Sequence, residues 1–194
     1  CTKKLDKNSI FDFVHKQEMK KRYDELYKIY KEISKSKVLK KFEKNLIKFS
    51  FKLFKRKFSH INRGMAIGVK DSKRTSFDWH QEESYYNNLK TLHYQFPMLY
   101  KCNKKNGTMS VLQRSHNEGS ISKLKRLNLN KKSVTTYKPF AIKKKKKKYK
   151  EIFINLGEND LVMFHSMLIH KSNINLNNKK KVRFAGIIRL RQIK

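Results

Sequence analysis

With 194 residues, 38% of them hydrophobic, the chain is long enough for one domain with a sizeable core and too short to make two comfortably. A net charge of +34 and a pI near 10.2 invite a phosphate-bearing partner, but the excess is mostly Lys scattered along the whole chain with abundant Asn and Ile, as an A/T-rich coding sequence would give whatever the function. Two cysteines, Cys1 and Cys102, are too few for a disulfide framework and lie in no paired metal spacing. No apolar run approaches the length of a membrane span, and no charged-then-apolar leader is visible. A reduced, cytoplasmic setting is therefore expected, and the start at Cys1 rather than Met suggests an incomplete N-terminus.

Over residues 10–34, Tyr23, Leu26, Tyr30 and Ile33 recur at spacings of three and four, which predicts one helical stripe with Lys and Glu on the other face. A second helix is expected from Ser36 as N-cap, with Leu39, Phe42, Leu46 and Phe49 facing inward. Such basic helices could attach to a membrane surface or nucleic acid; an outer helical layer with a solvated Lys face is the simpler reading. Beyond Phe58 the period changes. Met65, Ile67 and Val69 alternate with small or polar residues and predict the first core strand, followed by a polar turn over 71–76. Strands are then predicted within 77–82, 89–99 and 108–112, the second closed by Pro97 and the turn at Lys105-Asn106-Gly107. The lysine run 143–148 repels itself and is expected as a solvated loop. Alternation at Ile152 and Ile154, a turn at Gly157-Glu158-Asn159-Asp160, and runs over 161–169 and 182–190 complete the strands. Helices first and many short strands after them make an α+β chain: a helical layer over 1–58 packed outside a closed or sandwich-like, jelly-roll core over 59–194, one domain overall.

Chemistry concentrates at Trp79-His80-Gln81-Glu82. On a strand, residues i and i+2 share a face, so His80 and Glu82 can converge on one metal ion, whereas Glu83, an alternative ligand on paper, would point the other way. His170, at the end of the apolar run 161–169, is the best third ligand. Two histidines and one carboxylate would leave the opposite positions of an iron(II) ion open for an organic chelator and dioxygen. Arg183, Ala185 and Ile187 share one face of the last strand. An Arg beside apolar residues on a core strand needs a carboxylate, and a small dicarboxylate ligand could serve where no protein acid is near. His116 and His165 could orient a ligand or be structural; His15, His60 and His93 have no identifiable partner. Trp79 and Tyr94 fit core packing better than a pocket wall.

These segments, together with the stretch from Lys105-Asn106-Gly107 to Ser115-His116, the run Gly157 to Ser166, and Leu168-Ile169-His170-Lys171-Ser172 through Val182-Arg183-Phe184, resemble in order and interval the phytanoyl-CoA dioxygenase family over roughly residues 60–190. The resemblance implies a double-stranded β-helix, cupin-like, that binds non-haem iron(II) and 2-oxoglutarate. With dioxygen such an enzyme decarboxylates 2-oxoglutarate to succinate and typically hydroxylates a C–H bond of a small organic or carrier-bound substrate. Carried across, His80, Glu82 and His170 are the metal ligands, Arg183 binds the distal carboxylate of 2-oxoglutarate, and Ser172 assists it. Three departures stand out: Glu82 replaces the usual Asp, the interval from His170 to Arg183 is about two residues long, and Gln113-Arg114 replaces a frequent Pro-Gly. The competing readings are a basic, non-enzymatic nucleic-acid-binding protein and a metal-binding jelly roll without turnover. Substrate identity, site of hydroxylation and oligomeric state are not legible.

Overall fold

The computed structural model describes residues 6–70, 72, 75–85, 91–121, 124–126, 137–139, 148–177 and 181–193. Three helices, α1 (Lys7–Met19), α2 (Tyr23–Lys35) and α3 (Lys37–Phe54), precede ten strands: β1 (Phe58–Gly68), β2 (Phe77–His80), β3 (Thr91–Pro97), β4 (Met109–Leu112), β5 (Leu124–Arg126), β6 (Tyr137–Pro139), β7 (Glu151–Phe153), β8 (Val162–His165), β9 (His170–Ser172) and β10 (Arg183–Gln192). Two four-stranded antiparallel sheets, ordered β1-β10-β3-β8 and β2-β9-β4-β7, form a jelly roll, and β5 and β6 make a separate ribbon. Most of the lysine run expected as a loop, 143–147, lies outside the described residues. No helix among the described residues is long and apolar enough to cross a membrane.

The expected single stripe over 10–34 belongs to two helices. The chain breaks at residues 20–22, three consecutive basic residues with no apolar side chain to bury, and Lys21 takes a left-handed φ of 54°. Tyr23, Leu26, Tyr30 and Ile33 all fall on α2, while α1 buries its own Phe11 and Val14. Ser36 occupies the N-cap of α3, but its side chain makes no capping bond. Leu39 and Leu46 face inward as expected and Phe42 stacks edge-on against Phe96 at 5.0 Å, whereas Phe49 is 49% exposed, because the buried stripe of α3 runs instead through Glu43 and Ser50.

Strand β10 divides the molecule. Phe184, Ile188 and Leu190 point outward and meet the helices: Phe184 joins Phe11, Val14 and Leu26, and the other two join Leu46 and Tyr94. Arg183, Ile187 and Arg189 point inward and line a cavity. Tyr94 is core, its hydroxyl 2.6 Å from Ser50 Oγ on α3, and Trp79 packs with Leu112 and Ile169. The helical layer is tied to β1 by polar contacts as well. Arg63 donates from Nη1 to Glu43 Oε2 (2.9 Å) and from Nε to the Ser34 carbonyl (3.0 Å), and Tyr30 donates its hydroxyl to the Arg63 carbonyl (3.2 Å). His60, without a partner in the sequence reading, lies 3.3 Å from the same Glu43 carboxylate.

The run 161–169 is not one strand. Strand β8 ends at His165, residues 166–169 turn, and a new strand in the other sheet begins at His170. The apolar residues of this run are a poor guide because Ile169 is buried in the turn rather than on a strand.

Glu43 and Arg63 form the polar lock of the helical layer, and truncating one partner of a buried pair leaves the other uncompensated. Glu43→Ala is expected to destabilise the fold by about 3 kcal/mol in urea unfolding, and Glu43→Gln by less, since an amide still accepts from Arg63.

Candidate metal centre

The antiparallel pairing of β2 with β9 places His80 directly opposite His170, after a bulge between Phe77 and His80. Their ring centroids lie 4.3 Å apart. Each Nδ1 meets a carbonyl two residues back in its own chain, Asp78 at 2.6 Å and Leu168 at 2.9 Å, so each Nδ1–H donates there and Nε2 is left as the ligand atom.

Glu82 does not sit on the strand. β2 stops at His80 and Glu82 opens a 3-10 turn, yet the alternation of faces persists. Gln81 points away from the cavity and is buried, donating to the carbonyls of Gly119 and Met167 (both 2.7 Å) and accepting from Ile121 N–H (2.8 Å). Glu83 likewise turns away, with its amide on the Ser166 carbonyl (3.1 Å) and its carboxylate on the Ser120 hydroxyl. These contacts hold the turn and swing Glu82 inward, where Oε1 lies 3.7 Å from His170 Nε2 and 4.0 Å from His80 Nε2. The three ligand atoms lie within 4.8 Å of one another, a spacing that could hold a metal ion.

Burial, and then the neighbouring His170, push the His80 imidazole down to about 4. Burial also holds His93 well below the usual histidine range. For Glu82, burial works upward but is outweighed by Arg189, His93 and His170, which hold the carboxyl well below its usual range. Near neutral pH the centre therefore offers an ionised carboxylate and a deprotonated His80 nitrogen, the forms a divalent cation requires.

The ligands face a cavity of about 280 Å³, whose walls include Leu26 and Tyr30 of α2, Phe77, Phe164 and Ile187. At the cavity lies Arg183, only 1% exposed. Its Nη1 donates to the Gly107 carbonyl, its Nε has no hydrogen-bond partner, and among the described residues no carboxylate pairs with it. Burial lowers its pKa from the ordinary guanidinium value. Two glycines make room: a Cβ on Gly68 would lie 3.1 Å from Arg183 Nε, and Gly107, at φ 80°, would set a Cβ 2.6 Å from the Asn173 carbonyl. Ser172, across the ladder from Phe77 and Met109, lines the same cavity. A buried guanidinium with a spare donor suits a ligand carboxylate, and the three-donor cluster suits iron(II).

Of the remaining sequence candidates, His116 is exposed; its ring lies 6.5 Å from that of His165, and neither lines the cavity. The substituted turn at Gln113-Arg114 is accommodated by Arg114 itself, which takes a left-handed φ of 64° where glycine is more usual. Next to it, the Ser115 hydroxyl accepts the Ile169 N–H (2.9 Å) and so fixes the entry to β9. Sequence reasoning missed His93 and Arg189. His93 Nδ1 lies 4.0 Å, and Arg189 Nη2 3.3 Å, from Glu82 Oε2. Extending the alternation of Arg183, Ala185 and Ile187 by one step would have found Arg189.

The profile of the phytanoyl-CoA dioxygenase (PhyH) family matches residues 57–184. Among solved structures, EvdO2 from Micromonospora carbonacea var. aurantiaca complexed with 2-oxoglutarate is similar over 84% of this chain and 62% of its own, at 12% identity and a TM-score of 0.57. The non-haem α-ketoglutarate-dependent epimerase SnoN from nogalamycin biosynthesis matches over 80% and 56%, at 10% identity and a TM-score of 0.57. AviO1 from Streptomyces viridochromogenes Tue57 matches over 75% and 56%, at 14% identity and a TM-score of 0.54. At these identities the likeness is one of fold, and the chain spans only 56–62% of the three structures' lengths. No curated protein matches by sequence.

The depressed His80 value carries a sign. Below pH 6.5 an unfolded chain takes up a proton that folded His80 refuses until about pH 4, so stability falls as pH drops through that window. His93 acts in the same direction. His80 alone is expected to cost metal-free protein about 2 kcal/mol in urea unfolding between pH 7.5 and pH 5, so the parent is expected to lose more than that and His80→Phe to lose about 2 kcal/mol less than the parent over the same interval.

Proposed function

Because the chain belongs to the phytanoyl-CoA dioxygenase family, we propose that it is a non-haem iron(II)- and 2-oxoglutarate-dependent dioxygenase. In this reading His80, Glu82 and His170 hold the metal, and Arg183 with Ser172 receives the distal carboxylate of 2-oxoglutarate. The observation that carries it is Arg183: a buried guanidinium, paired with no carboxylate among the described residues, on a side chain that lines the same cavity as the two histidines and the carboxylate. A protein without such a ligand would leave this charge uncompensated, which is strongly unfavourable.

When bound, iron(II) and 2-oxoglutarate supply the oxidant, using dioxygen to give succinate, carbon dioxide and a hydroxylated substrate. The chain's own part is placement. Asp78 and Leu168 carbonyls keep the Nδ1 protons of His80 and His170 and so hold both Nε2 lone pairs toward the cavity. Gly68 leaves space for Arg183, and the Gly107 carbonyl accepts from its Nη1 and seats it at fixed depth. Apolar side chains such as Phe77, Phe164 and Ile187 keep water scarce, which strengthens each ionic contact inside. The substrate is a small organic molecule, free or carrier-bound. Hydroxylation is the expected outcome, although the similar epimerase SnoN shows by its name that this fold also hosts other outcomes. The helical layer over 1–58 and the core over 59–194 act as one domain, since α2 contributes Leu26 and Tyr30 to the cavity wall. A reducing, cytoplasmic setting accords with the free thiol of the buried Cys102.

Anaerobic titration with iron(II) and 2-oxoglutarate tests this. The parent is expected to develop a visible metal-to-ligand charge-transfer band, His170→Ala to lose it, and Arg183→Ala to need about 10- to 100-fold more 2-oxoglutarate. A folded, metal-loaded parent without the band would overturn the reading.

A further inference from the structure

Arg189 belongs to a row that crosses three strands of the β1-β10-β3-β8 sheet. It is the direct register partner of Asn62 on β1 and of His93 on β3, so the three side chains leave the same face. That face looks at Glu82, which comes from the turn after β2 in the opposite sheet. Arg189 Nη2 is 3.3 Å from each oxygen of the Glu82 carboxylate, and Nη1 donates to Asn62 Oδ1 at 3.1 Å. The two oxygens have different surroundings: Oε1 faces Nε2 of both His80 and His170, and Oε2 faces His93 Nδ1.

The two histidines are held by a strand ladder, but Glu82 is not, because β2 ends two residues earlier. It also carries one more rotatable bond than aspartate, and so has more conformational freedom to lose on binding a metal. Something other than its own backbone must fix the carboxylate.

We propose that Arg189, braced by Asn62 and flanked by His93, is a positioning residue of the metal centre that holds the Glu82 carboxylate where its Oε1 meets the two histidine nitrogens. The inference rests on the metal-binding part of the function proposed above and is independent of 2-oxoglutarate. Its consequence is that Glu82 is ordered before the metal arrives, so less side-chain freedom is lost on binding.

The test uses manganese(II) added to the metal-free protein, with affinity read from the electron paramagnetic resonance of the free ion. Arg189→Met is expected to bind about 10- to 100-fold more weakly. Arg189→Lys, which keeps the charge and one donor, is expected to fall between, and it serves if the Met variant does not fold by thermal unfolding. In an Glu82→Asp background, whose shorter side chain is already confined, adding Arg189→Met is expected to change affinity less than about threefold. Equal affinity in the parent and Arg189→Met would overturn the proposal, as would an undiminished effect in the Glu82→Asp background. A parent that binds no manganese(II) would sink both this inference and the proposed function. A parent that binds it but develops no 2-oxoglutarate band with iron sinks the proposed function alone.

Discussion

His170 stands directly across from His80 because β9 runs antiparallel to β2, and the rest of the centre is arranged around that rung. A ladder pair fixes two Cα atoms to within a few tenths of an ångström and sends both side chains to one face, so two ligands 90 residues apart in sequence arrive together without dedicated contacts. The bulge before His80 and the Ser115 hydroxyl on the Ile169 amide adjust the register at the two ends of the rung. Glu82, outside the ladder, needs its own apparatus, which explains why Gln81 and Glu83 on either side of it are both buried and bonded outward.

The charge distribution has a division of labour. The chain has 49 basic and 15 acidic residues. Among the described residues, four of the acids, Glu18, Glu43, Glu82 and Glu83, are buried. Each has a task inside: Glu18 receives the Ser72 hydroxyl, Glu43 binds Arg63, Glu82 faces the cavity and Glu83 receives Ser120. The surface is left strongly positive, and that excess says little about the chemistry within. A reading led by net charge would have placed the interest of this protein on its outside.

Much of the site was legible in the sequence because its signals are local or periodic. His80 and Glu82 are two apart, His170 ends a strongly apolar run, and the face shared by Arg183, Ala185 and Ile187 follows from strand alternation alone. The fold class was legible too, from helices followed by short strands. What was hidden depends on where strands stop and which strands adjoin. The run 161–169 has the composition of one strand but holds a four-residue strand followed by a turn, since a buried turn residue such as Ile169 looks like a strand residue to any hydrophobicity pattern. The break at residues 20–22 escaped notice because the four residues that define the stripe all lie beyond it, on α2. His93 appeared without a partner because Arg189 is brought to it only by sheet pairing and Glu82 only by the turn after β2 in the opposite sheet. Phe49 shows the limit of amphipathic reasoning, for the buried face of α3 is centred on a salt-bridged Glu and a hydrogen-bonded Ser.

Among the described residues, strand β1 is the end strand of its sheet, with β10 as its neighbour. An eleven-residue outer strand is a template onto which another chain can add. Here the Tyr30 hydroxyl occupies one of the strand's carbonyls, that of Arg63, while its ring lies against Gly64, and Arg63 in turn reaches back to α2 and α3. The helices ahead of the family-matched segment therefore act as a guard against sheet-to-sheet growth, and a core expressed from residue 57 onward would be prone to self-association through β1 before any question of its chemistry arose.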